Sequence, residues 1–392
     1  MKEHVLILAT TNNFLLRFEY DNLKLLLGMG YTVHYAANLL EPVYTDDRLK
    51  LHAMGVRLHH IDIARSPYML KANLKALFEL KRIIEKYNIK IIHCHTPVGG
   101  VLGRLSARLT GKTKRPVVIY TAHGFHFYKG APLYNRLVFY SAERVLAHFT
   151  DILIVINSED LAAAKRLRLK KGASVYKIDG VGVNLKKYKP QSDKLRCRLR
   201  RVLGLRPGDF FILSVGELNH NKNHTDMLLA LKLLKDEGSL ENIKYGIVGD
   251  GFLKWQLVSK IKELGLYSTV TLYGSRLSPR AFLAAADAMA FVSKREGLGM
   301  AALEALAMGV PVIATDNRGT REYMQDGQNG FVVPLGDTAA LAKSILTLKN
   351  LSADKLFKMK SCATATALKF DTLVTRECMK RVYNDAQNRI KG

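Results

Sequence analysis

The stretch Ser293-Lys-Arg295-Glu296-Gly297-Leu298-Gly299-Met-Ala-Ala-Leu-Glu304 sets two carboxylates around a glycine turn. An apolar run, Ala288 to Val292, leads into it; an amphipathic helical pattern follows, and then a second strand, Pro311 to Thr315. This order puts Glu296 at the mouth of a helix and Glu304 on its body. A helix N-terminus offers unpaired N–H groups and a positive dipole end, which suit an anionic phosphate. For a helix starting near Gly299, Glu304 lies about 8 Å further along the axis, at ~1.5 Å of rise per residue. That offset is close to the one between a nucleotide's diphosphate and its ribose hydroxyls. Alone, two such carboxylates would be solvated groups, with Glu296 complementing the helix dipole. Flanked by strands and glycines, they fit a nucleotide-sugar better than an inorganic anion.

Other candidates also sit where strands end. In the second half these are Gly216 with Glu217 and Lys222, Gly249 with Gly251, and Gly274. Ligands of open parallel sheets bind beyond the carboxyl ends of the strands, so several such ends describe a crevice. In the first half, Asn12, Asn13 and Arg17 follow the first strand, and His123 follows another. No G-x-G-x-x-G follows the first strand, which argues against a dinucleotide dehydrogenase. His93-Cys94-His95 suggests a metal cluster, but alternation along a strand turns Cys94 away from the two histidines. Without further ligands no metal is expected, and His95 is assigned to the acceptor side.

The elements that position these residues alternate along the whole chain. Val5–Ala9, Thr32–Ala36, Ile89–His93, Val117–Thr121 and Ile152–Ile156 read as buried strands in the first half. Phe211–Val215, Lys244–Val248, Val270–Tyr273, Met289–Val292 and Val312–Ala314 do so in the second. Helical patterns such as Leu70–Tyr87, Asn223–Lys235 and Phe252–Leu264 lie between them. Alternating βα units imply parallel sheets covered on both faces. The pattern breaks near residue 190, giving expected domains over 1–189 and 190–370 and a further helical segment over 371–392.

The 392 residues carry a net charge of +26, with the excess greater in the first half. Such a field attracts nucleic acid, acidic lipid or phosphorylated substrates without choosing among them. The four cysteines lack C-x-x-C spacing and read as free thiols of a reducing cytoplasm. No apolar run approaches the ~18–20 residues that span a bilayer, and the N-terminal run reads as a strand rather than a signal peptide. The basic helix Leu70–Tyr87 and the mixed aromatic and basic stretch Phe125–Arg136 suggest docking on an anionic membrane. Core aromatics beside a solvated charged face are the equal alternative.

The block Glu296-Gly-Leu-Gly-x4-Glu304-Ala-Leu-Ala-x-Gly309-x-Pro311-Val-Ile-Ala resembles the E-x7-E signature of glycosyltransferase family 4. Val215-Gly-Glu-Leu-Asn-His-Asn-Lys222 is similar to the family's phosphate loop, and Val248-Gly-Asp-Gly251 and Tyr273-Gly274 to its glycine turns. Thr121-Ala-His-Gly-Phe-His-Phe-Tyr-Lys129 resembles the branch that builds bacterial capsule and exopolysaccharide. The resemblance implies a GT-B fold: two Rossmann-like domains facing a central cleft, with a C-terminal helix crossing back to the first. It implies a retaining, metal-independent transfer of sugar from a nucleotide donor, expected to be UDP-linked, to a lipid-linked or growing saccharide acceptor. No cofactor is expected. Glu304 would hold the ribose; Glu296 and the amides of Gly297, Leu298 and Gly299 would hold the donor sugar and phosphates. Lys222 would neutralise the leaving diphosphate, and His123 would stand near the reacting centre. Glu217 departs from the pattern, since many members carry arginine there; either Arg295 or Arg318 would substitute, or Glu217 would serve the acceptor or domain closure instead. A cytoplasmic enzyme, peripheral on the inner face of the membrane, follows. The alternatives are a nucleotide-sugar epimerase of the same fold and a basic nucleic-acid-binding protein. The second lacks any recognisable binding motif, so no nucleic acid partner is expected.

Overall fold

The computed structural model describes residues 2–40, 46–111, 115–128 and 130–391, in two units. The first runs to Val181 and resumes at Leu373; the second is Gly182–Thr372. The first sheet holds β1 (His4–Thr11), β2 (Thr32–Asn38), β3 (Arg57–His60), β4 (Ile91–Cys94), β5 (Val117–Ala122), β6 (Ile152–Val155) and β7 (Ser174–Lys177). The order is β3-β2-β1-β4-β5-β6-β7, and every pairing is parallel. The second sheet holds β8 (Phe210–Val215), β9 (Ile243–Val248), β10 (Val270–Gly274), β11 (Ala288–Phe291), β12 (Val312–Thr315) and β13 (Gly330–Val333). Its order is β10-β9-β8-β11-β12-β13, again all parallel. Both are doubly wound Rossmann-like sheets whose strand order reverses at one point: between β1 and β4, and between β8 and β11.

Burial explains the apolar runs. β4, β5 and β6 are buried along their whole lengths, as are β11 and β12. Helices therefore cover both faces of these strands. The last helix, Thr372–Lys391, supplies Met379, Val382, Tyr383 and Ala386 to the core of the first unit. The units divide at Val181/Gly182 rather than near residue 190. Backbone pairing explains the difference: the Val183 N–H donates to the Phe370 carbonyl at 2.7 Å, and the Thr372 N–H to the Val183 carbonyl at 3.1 Å. The turn-rich stretch before 190 is thus held within the second unit.

Three histidines cross the amino ends of β1, β2 and β3. His34 is fully buried, with one ring nitrogen 2.8 Å from His4 and the other 2.8 Å from His59. Burial first, then neighbouring positive charge, pushes His34 down to about 3 and His59 to about 4. Both therefore fold as neutral rings. Folded values below the unfolded ~6.5 mean that their contribution is complete above that pH and is lost as pH falls towards 3. At pH 4.5 the loss at His34 is at most about 3 kcal/mol. The first unit is expected to melt at lower temperature at pH 4.5 than at pH 7.5, and less steeply with pH in His34→Leu. Equal pH sensitivity of the two proteins would refute this.

Candidate active site

The reversal between β8 and β11 brings two loops side by side at the carboxyl edge of the second sheet. Asn221, in the loop after β8, joins them: its side-chain amide donates to the Arg295 carbonyl and its own carbonyl accepts the Lys294 N–H, both at 2.8 Å. Asn219 Oδ1 accepts the N–H groups of Asn221 and Lys222 at 3.0 Å, fixing the loop's path. Lys222 Nζ then reaches Glu296 Oε1 at 2.6 Å, and lies 5.0 Å from the Phe291 ring centroid. Only 21% of the lysine side chain and 14% of the glutamate are exposed. Partial burial strengthens the attraction over that of a surface pair. The sequence spacing of these two residues carried no sign that they would pair.

The glycines permit the close approach. A Cβ at Gly216 would stand 2.9 Å from Lys222 Cε, and one at Gly249 only 1.8 Å from the Gly216 carbonyl oxygen. The Gly249 N–H donates to the Gly274 carbonyl at 2.9 Å, so these three turns adjoin on neighbouring strands. Gly251 lies against the Leu218 backbone in the same way. Gly299 has φ +97° and opens the helix Met300–Ala307, where a Cβ would strike Phe291 and the Tyr323 hydroxyl. The Leu298 side chain is 3% exposed and belongs to the packing, leaving its backbone for any ligand.

Arg318, 6% exposed, donates from Nε to the Glu296 carbonyl at 3.3 Å. Arg295 contributes its carbonyl to Asn221, and Glu217 is exposed. Glu304 sits part-buried on the helix Met300–Ala307, hydrogen-bonded to the Tyr188 phenol. Burial, then the Glu304 charge, raises the Tyr188 phenol above its ordinary value. Tyr188 and Tyr323 escaped the sequence reading. Tyr323 is a buried phenol whose oxygen has no hydrogen-bond partner among the described residues, and burial, then the Glu296 charge, holds its proton on.

In the first unit, Asn13 and Arg17 line a cavity of about 310 Å³ with Phe14, Arg65, Thr96 and Pro97, at the ends of β1 and β4. Asn12 and His95 do not line it; both are fully buried. Asn12 donates to Asp46 at 3.2 Å. His95 follows β4 with its N–H on the Leu8 carbonyl, and its Nδ1 lies 3.1 Å from His123 Nε2. The acceptor-side assignment of His95 is therefore corrected: it supports His123 from beneath. His123 is part-buried, and burial lowers it to about 4, so it is neutral near pH 7. Cys94 packs on the opposite face of the sheet, as alternation required. Both nitrogens of His93 face protein partners, Tyr383 Oη at 3.0 Å and Thr121 Oγ1 at 2.8 Å. Glu19, His93 and His95 lie close enough to suggest ligands, yet His93 has no nitrogen to spare.

Residues 196–364 match the model of "Glycosyl transferases group 1", and residues 4–157 that of "Glycosyl transferase 4-like". The putative glycosyltransferase EpsD of Bacillus subtilis is 38% identical over 98% of this chain and 97% of its own length. The chain belongs to glycosyltransferase family 4. This glycosyltransferase is also 27% identical, over 87% of its length and 85% of the relative's, to the Escherichia coli UDP-Gal:alpha-D-GlcNAc-diphosphoundecaprenol alpha-1,3-galactosyltransferase. Its fold is that of Anabaena HepE, solved with UDP and glucose: TM-score 0.78, 19% identity, 97% and 99% coverage. Two Rossmann-like units make it a GT-B glycosyltransferase.

Proposed function

We propose that this glycosyltransferase moves a sugar from a UDP-linked donor, with retention, to a lipid-linked or growing saccharide during bacterial surface-polysaccharide synthesis. The observation that carries the donor half is the Lys222–Glu296 pair of 2.6 Å, at the strand-order reversal of the second sheet. An incoming diphosphate competes with Glu296 for the ammonium, so the cation is already in place for the charge that grows on the leaving group. Fixed cations and N–H groups at that position lower the barrier electrostatically. On this reading Glu304, held by Tyr188, takes the ribose hydroxyls, and Glu296 with the Gly297–Gly299 amides takes the sugar and phosphates. Acceptor attack on the face that the diphosphate leaves would let a phosphate oxygen receive the acceptor proton, with no protein nucleophile. Lys222 and Arg318 would serve in place of a metal; full activity after EDTA treatment is the matching outcome. The E. coli relative's named substrates support the donor and acceptor classes.

Thermal unfolding with UDP, GDP, ADP and their sugars tests the donor class. Stabilisation by uridine compounds alone is expected; a shift confined to another base would refute the assignment.

We further infer attachment to an anionic membrane surface. No helix among the described residues is long and apolar enough to cross a membrane. On the helix Leu70–Tyr87, Leu70, Leu74 and Phe78 form an exposed stripe at helical spacing beside Lys71 and Lys75. The helix Leu133–Leu146 exposes Leu133, Tyr134, Leu137 and Val138. The aromatics earlier in Phe125–Arg136 do not contribute as the sequence suggested: Phe125 is buried and stacks on Phe127, which packs against the core. Lys129 lies outside the described residues. Flotation with vesicles rich in anionic lipid is expected to carry the protein, and neutral vesicles much less. Recovery at the bottom of both gradients would remove the inference.

A further inference from the structure

Glu19 lies between the short helices Phe14–Phe18 and Tyr20–Gly28, only 2% exposed, with Oε1 3.5 Å from His95 Nδ1. That same Nδ1 lies 3.1 Å from His123 Nε2. One ring nitrogen therefore faces two partners and can serve one at a time. The other nitrogen of His95 is buried without a hydrogen-bond partner among the described residues. A buried lone pair left unpaired costs less than a buried N–H left unpaired. The His95 proton accordingly belongs on Nδ1, donated to His123 Nε2 at the shorter distance. His123 then carries its own proton on Nδ1.

Glu19 fits this arrangement as a neutral acid. Its Oε2 accepts from the Asn22 side-chain amide at 2.5 Å. Burial raises Glu19 to about 8, with Asn22 pulling the other way. The groups facing it are His95 at the end of β4, Tyr35 on β2 and Tyr383 on the last helix, with His93, His123 and Asp47 beyond them.

We propose that Glu19, which touches no substrate, sets the proton position on His123 through His95: neutral Glu19 leaves the His95 Nδ1–H to His123, and ionised Glu19 takes it. On ionisation the Glu19 proton passes to solvent. His95 keeps its proton but turns the hydrogen bond to Glu19 Oε1, and His123 Nε2 loses its donor. Glu19 is thus a positioning residue whose effect on transfer rests on the reading of His123 given above.

Nitrogen-15 NMR of the full chain with labelled histidines tests this directly. His123 is expected as the Nδ1–H tautomer near pH 6.5, leaving that state with a midpoint near pH 8. In Glu19→Gln the transition should vanish. A His123 tautomer unchanged up to about pH 9.5, or a midpoint kept in the variant, overturns the proposal. Should the variant fail to fold, the titration of the unaltered protein still decides. In sugar transfer, the ratio of kcat at pH 7 to that at pH 9 is expected to fall from about tenfold to near unity in Glu19→Gln. Tautomer control without any sugar transfer would sink the functional reading and leave the Glu19 coupling standing.

Discussion

Lys222→Ala should lower kcat by about 10²–10³-fold, the cost of removing one group that stabilises charge in a transition state. The affinity for UDP-sugar should change far less. The ammonium is held by Glu296 at 2.6 Å, so binding of a diphosphate would exchange one anionic partner for another. The gain comes when the leaving diphosphate acquires further charge, which only the transition state presents. Lys222→Arg should not restore the rate, because the lysine stem lies across Gly216, where a Cβ would already stand 2.9 Å from Cε. Steady-state rates with a saturating donor, together with donor Kd by calorimetry, separate the two effects. A variant with normal kcat and a raised Kd would reassign Lys222 to ground-state binding.

Glu304→Ala should remove most of the stabilisation that a uridine diphosphate confers. At 100 times its Kd a ligand contributes ~2.7 kcal/mol. Hydrogen bonds to a charged group contribute about 1.5–3 kcal/mol, so losing those to the ribose weakens binding about 10–100-fold. At the upper end the same ligand concentration would contribute only ~0.4 kcal/mol. Tyr188→Phe keeps the carboxylate but releases its hydrogen-bond partner, and should fall between the two. Melting curves of the three proteins with and without UDP read this directly. Equal shifts in all three would take the ribose away from Glu304.

The strands that are covered on both faces were legible from their apolar runs: those near Val5, Ile152, Phe211 and Met289 all appear in the sheets. β3, β7 and β13 were not. Each lies at a sheet edge and is only partly covered, so Arg57-Leu-His-His and Ser174-Val-Tyr-Lys carry no continuous apolar signal. The helix after Gly299 was legible because its glycines, apolar face and following strand are consecutive in sequence. Contacts between distant residues were not. Lys222 meets Glu296, Tyr188 meets Glu304, and Glu19 meets His95 only once the strand order is known. His95 misled for the same reason: a polar residue at a strand end suggested a cleft wall, and the fold buried it under His123.

The most direct test of the function is the product itself. The protein would be incubated with a panel of UDP-sugars and an acceptor saccharide on a polyprenyl diphosphate, and the new linkage read by proton NMR. The expected result is transfer from one UDP-sugar with the donor's anomeric configuration kept. An inverted linkage would contradict the retaining mechanism, and conversion of the UDP-sugar to an isomer without acceptor would contradict transfer altogether.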